Sequence, residues 1–72
     1  MKNSVILIEL FNDEGTLIKR RVAFNSSNAM DWIEQFAKQN NATVTEVFSN
    51  EGFIDNGIDK NWNYELTDIA IV

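Results

Sequence analysis

NSSNAMDWIEQFAKQNN, residues 25–41, is the stretch that decides the fold. At 100° per residue, Ala29, Trp32, Ile33, Phe36 and Ala37 share one face, while Asp31, Glu34, Gln35 and Lys38 share the other. That is the pattern of an amphipathic helix laid on a core. Ser26, Ser27 and Asn28 are all good caps, and Asn28 with Asp31 three residues on is compatible with a capping box. Asn40-Asn41 ends the segment, because asparagine tolerates the left-handed backbone of a helix end. The helix so bounded runs from Ala29 for roughly 12 residues, a little over three turns.

On either side the period drops from helical to alternating. Ser4 to Phe11 is a β-branched and aliphatic run that reads as a strand. Ile6, Ile8 and Leu10 fall on one side of it, and Val5, Leu7 and Phe11 on the other, as in a central strand. Asn12-Asp13-Glu14-Gly15 reads as a turn, in which the glycine can take positive φ. Thr16 to Phe24 is the return strand, with Ile18, Val22 and Phe24 toward one face and Lys19 and Arg21 toward the other. Arg20 interrupts that pattern, by snorkelling to the edge or through a bulge.

After the helix, Thr43 to Phe48 returns to strand composition. Asn50-Glu51-Gly52 reads as a second turn and Phe53-Ile54 as a short strand stub. Asp55 to Asn61 reads as a polar loop, and Trp62 to Val72 as the last strand, with a slip of parity that places a bulge near Thr67-Asp68. The expectation is an α+β domain over residues 1–72, ββαββ, with an antiparallel sheet of four strands, or five if the stub pairs, and one helix on one face. Ile33 and Phe36 are expected to pack against Ile6, Ile8, Val22 and Val44.

One helix of that length covers one side of the sheet only. Val5, Leu7, Phe11 and Leu17 are therefore expected on an open side together with Lys19 and Arg21. An apolar patch of this kind on a small domain marks an interface. The open side and the uncapped run Ile69-Ala70-Ile71-Val72 together lead to an expected homodimer.

Charge is distributed unevenly. The net charge is −5, and the first 45 residues balance five acids with five bases. From Glu46 onward six acids (Glu46, Glu51, Asp55, Asp59, Glu65 and Asp68) face one base, Lys60. Such a chain repels nucleic acid and anionic membrane and suits a basic protein surface. Lys19-Arg20-Arg21 alternate faces along a strand, so they form no continuous phosphate-binding row.

The chain has no histidine and no cysteine, which removes the commonest bases, nucleophiles and soft metal ligands. A cysteine-free chain is at ease in a reducing compartment, and the cytoplasm is the expected location. The segment Asp55-Asn56-Gly57-Ile58-Asp59-Lys60-Asn61 invites a calcium-loop reading. Counted from Asp55, however, Lys60 stands where the loop glycine belongs and Leu66 where the bidentate glutamate belongs. No enzyme, cofactor or metal site is expected. The expected partner-binding residues are Glu51, Asp55, Asp59, Glu65 and Asp68 around Trp62 and Tyr64, with the aromatics as anchors inside a charged rim.

Trp32, Phe36-Ala37, Asn40, Ala42 and Val44 resemble the helix-to-strand segment of Dmd-type phage antitoxins. The layout of hairpin, helix, Thr-Val strand, glycine turn and acidic last strand with tryptophan is similar to that of small phage anti-CRISPR proteins. The resemblance spans about half the chain and rests on positions of core type. It implies a protein that binds and blocks a host defence protein in the host cytoplasm without catalysis, and it transfers no functional residue. A structural module that self-associates through sheet edges is the alternative.

Overall fold

The computed structural model describes residues 3–71. The elements are β1 (Ser4–Phe11), β2 (Leu17–Ala23), α1 (Ser26–Gln39), β3 (Thr43–Phe48), β4 (Glu51–Asp55) and β5 (Asn61–Ala70). All pairings are antiparallel, in one five-stranded sheet of order β2-β1-β5-β4-β3. The α+β expectation holds. The stub at Phe53-Ile54 is a full strand that begins at Glu51, so the turn is Ser49-Asn50 and Gly52 lies inside the sheet.

Local chemistry accounts for both hairpin and helix ends. Asn12 Oδ1 accepts from the backbone N–H groups of Glu14 and Thr16, both at 2.9 Å, while Gly15 sits at φ 81°. The helix starts earlier than its periodicity indicates. Its cap is Asn25, whose side chain accepts from the Asn28 N–H at 2.9 Å, so Ser26, Ser27 and Asn28 form the first turn. At the other end Asn41 takes φ 54°. Ala42 N–H then reaches the Ala37 carbonyl and Asn41 N–H the Lys38 carbonyl, the paired bonds of a Schellman ending.

Ile6, Ile8 and Leu10 of β1, Ala29, Ile33 and Ala37 of α1, Ile54 of β4, and Tyr64 and Leu66 of β5 form the core under the helix. Val44 packs against this cluster, as does Phe36, which is only half-buried. Val22 does not join it. The register pairs Leu7 with Val22, Ile8 with Arg21 and Leu10 with Lys19, so Val22 is on the helix-free face and 58% exposed. Lys19 and Arg21 lie on the helix side, opposite to expectation. β2 is an edge strand whose register follows the stronger aliphatic row of β1, and the irregularity is at Ile18, where Leu10/Phe11 pair with Lys19/Leu17. Arg20 is thereby in register with Glu9.

β5 carries no bulge: it pairs with β1 without a shift from Phe11↔Asn63 to Ser4↔Ala70. The slip in its hydrophobic parity arises because Leu66 faces the helix and Ile69 the other side, as a central strand allows. The second irregularity lies in β3, between Glu46 and Phe48. Because β1 runs along β5 as far as Ala70, the Ile69–Ile71 segment is no free sheet edge of the expected kind, and Val72 lies outside the described residues.

Tyr64 is 1% exposed, directly across from Gly52, and its hydroxyl has no hydrogen-bond partner among the described residues. Burial, then the charges of Glu46 and Glu34, push its ionisation above the ordinary phenol value. An unpaired buried hydroxyl costs about 1 kcal/mol or more. Tyr64→Phe is therefore expected to raise the melting temperature by a few degrees, read by circular dichroism. A clear fall would show that the hydroxyl holds a partner in solution.

Candidate protein-binding face

The side of the sheet away from α1 has no covering layer among the described residues. Its side chains come from alternate positions of all five strands, and the register arranges them in rows across the strands. In the central row Arg20, Glu9, Glu65 and Glu51 stand directly opposite one another in sequence β2-β1-β5-β4. At a strand spacing of about 4.8 Å, the three glutamates span roughly 10 Å.

Arg20 is the single base in that row and is committed to Glu9, with Nη2 to Oε2 at 2.9 Å and Nε at 3.3 Å. Glu65 and Glu51 have no ion-pair partner among the described residues. Like charges directly opposite on adjacent strands destabilise a sheet. Among the described residues Arg20, bonded to Glu9, is the only cation that offsets this cost.

Apolar rows flank the carboxylates. On one side Leu17, Phe11, Asn63, Phe53 and Thr45 are in register, with Leu17 40% and Phe53 46% exposed. On the other, Val22 faces Leu7 and Leu7 faces Thr67, followed by Val5 opposite Ile69. Phe48, 63% exposed, adjoins Glu51 at the β3 edge.

The seven residues expected to form one partner site do not come together. Glu51, Asp55 and Glu65 are on the helix-free face. Asp59 is in the β4–β5 loop, where a hydrogen bond from Asn56 Nδ2 at 2.8 Å, and then Lys60, hold its carboxyl below the usual value. Asn56 Oδ1 organises this loop by accepting from the N–H groups of Ile58, Asp59 and Lys60. Among the described residues no group of three acidic side chains is placed to share a metal ion.

Trp62, Tyr64 and Asp68 belong to the helix side. Trp62 is half-buried against Phe36, ring centres 5.4 Å apart, with Lys60 Nζ 5.6 Å from its ring. Tyr64 is corrected from anchor to core residue: it has no surface to offer. The reason is parity, since β5 alternates Tyr64 and Leu66 inward with Asn63 and Glu65 outward. Glu9, Phe11, Leu17 and Phe53 complete the face instead. The two-sided hydrophobicity of Ser4 to Phe11 is the sequence signal that points to the β1 residues among them.

A surface hollow of about 480 Å³ lies elsewhere, between the end of α1 and β3, and is lined by Glu34, Gln35, Ala37, Lys38, Ala42, Thr43 and Val44. Among the described residues it contains one carboxylate, Glu34, and one amine, Lys38. No helix of the described residues is long and apolar enough to cross a membrane. No protein-family model matches the chain, and neither curated proteins nor solved structures include a significant match.

Proposed function

We propose that this chain is a non-catalytic binding protein whose helix-free sheet face covers a basic surface of a partner protein. Inhibition of a host defence protein by occlusion, as in the phage proteins it resembles, is the specific role that fits. The observation that carries the reading is the row Glu9-Glu65-Glu51, which among the described residues has no cation but Arg20 and is bordered by exposed apolar rows. Basic side chains of a partner would relieve the repulsion within that row, while Leu17, Phe11 and Phe53 would bury apolar area beside it. Loss of water around the carboxylates would strengthen those pairings. The cytoplasm is the compartment that suits such a cysteine-free protein and target.

The alternative, a module that pairs with itself, is disfavoured through this face, because stacking two copies would bring glutamate rows together. It is left the sheet edges, and sedimentation would reveal it as a species of twice 8.3 kDa.

The test is capture from a host lysate by the parent, by Glu51→Lys/Glu65→Lys, and by Asp13→Lys/Asp31→Lys, which makes the same charge change off the face. The parent and the second variant should retain the same basic proteins at low salt and release them as salt rises, since screening shortens to about 8 Å at physiological strength. The first variant should lose them at a melting temperature no lower than the parent's, because the lysine of Glu65→Lys attracts Glu9 across the strands. Equal capture by both variants would remove the carboxylate row from the binding surface.

A further inference from the structure

On the opposite side of the domain, a groove of about 120 Å³ separates α1 from the edge strand β2, lined by Lys19, Arg21, Trp32, Gln35, Phe36 and Gln39. The register accounts for the gathering of these groups. Lys19 and Arg21 lie opposite Leu10 and Ile8, on the helix side, and Trp32 and Phe36 are one turn apart on α1. Gln35 and Gln39 are likewise one turn apart.

The lining has one electrostatic sign. Among the described residues no carboxylate borders the groove, although the chain holds 11 acids and only 6 bases. Among the described residues neither Lys19 nor Arg21 has an ion-pair partner, whereas Arg20, one position away on the other face, is bonded to Glu9. The Arg21 Cζ lies 5.7 Å from the centre of the Trp32 ring, within cation–π range. Stacking on an aromatic leaves the edge of a guanidinium, with its N–H donors, free to meet an acceptor. The amide groups of Gln35 and Gln39 add donors from the helix wall.

We propose that this groove is an oxyanion site that takes the phosphate group of a small phosphate or phosphomonoester. Two cations match the charge of about −1.5 to −2 that a monoester carries at neutral pH. Donors approaching from both a strand and a helix suit a tetrahedral group better than a planar carboxylate, which is met by a single fork. The net charge of −5 opposes a polynucleotide, whose many phosphates would have to approach the whole acidic domain. The assignment is independent of the protein-binding reading, because it concerns different residues on the other face.

The experiment is a nitrogen–proton NMR titration at constant ionic strength with inorganic phosphate, phenyl phosphate and a short oligothymidine, using chloride as the control. Saturable shifts at Lys19, Arg21, Gln35, Gln39 and the Trp32 indole N–H, absent with chloride, are expected for the first two. Equal affinity for both would identify the free ion as sufficient, and tighter binding of phenyl phosphate would identify an ester whose ring reaches Phe36. Lys19→Gln and Arg21→Gln should each weaken binding roughly tenfold, the effect of removing one charge-assisted contact. Lys38→Gln, outside the groove, should leave it unchanged. Lys19→Gln leaves the Arg21–Trp32 contact in place and so separates lost binding from lost folding. Unsaturated shifts common to all anions, tighter binding of the oligothymidine, or unchanged affinity in Lys19→Gln would each overturn the assignment.

Discussion

Gly52→Ala is expected to abolish most of the stability of this domain. An alanine methyl at that position would meet the Thr45 carbonyl oxygen below any contact distance, and would lie 2.6 Å from Tyr64 Oη and 2.7 Å from Tyr64 Cε2. The first of these obstacles is backbone of a paired strand and the second is a ring 1% exposed in the core, so neither can move cheaply. Gly52 has no Cβ, and the Tyr64 ring occupies that space, the way aromatics compensate for glycine within sheets. Overpacking a core by one carbon costs about 1–3 kcal/mol, and backbone obstruction puts this case at the upper end or beyond. A domain of this size holds on the order of 5 kcal/mol in all. Chemical denaturation should show the variant largely unfolded or with its midpoint moved far down. A midpoint close to the parent's would mean that β3 and β4 separate easily, and would remove Tyr64 from its place over Gly52.

Phe36→Ala is expected to cost about 3 kcal/mol, toward the low end for a phenylalanine because the ring is only half-buried. Phe36 is the middle of three rings, 5.5 Å from Trp32 and 5.4 Å from Trp62. Its removal opens the contact between helix and β5 as well as a cavity beside the core. Aromatic contacts of this kind add roughly 0.5–1.5 kcal/mol to the area they bury. The melting temperature should fall by roughly 15 °C, given about 4–8 °C per kcal/mol for a domain this small. Fluorescence offers an independent reading, because both tryptophans lose the same neighbour and their emission should shift to the red in the native state. An unshifted spectrum with a barely altered melt would show that the stack contributes little and that Ile33, fully buried one turn away, carries the helix alone.

The sequence by itself determined the parts of this molecule that depend on neighbours a few residues apart. The 3.6-residue period from Ala29 to Ala37, the asparagines at its end and the Asn12–Gly15 turn are local chemistry, and so are legible. So was the two-sided character of Ser4 to Phe11, which required a central strand. The charge excess after Glu46 was equally plain. Only the tertiary structure decided that β5 inserts between β1 and β4. That insertion places Glu65 between Glu9 and Glu51, in contact across gaps of 56 and 14 residues that no local pattern spans. It also divided the acidic third between two faces, sending Tyr64 into the core and Glu65 out. Alternation along a strand shows which side chains go together but not which set meets the helix. For β2 that choice followed from pairing with Ile6, Ile8 and Leu10, whose burial outweighs exposure of Val22, and from the irregularity at Ile18. The aliphatic row of β1 takes the helix because it removes the most apolar surface from water, and the charges are placed by what remains.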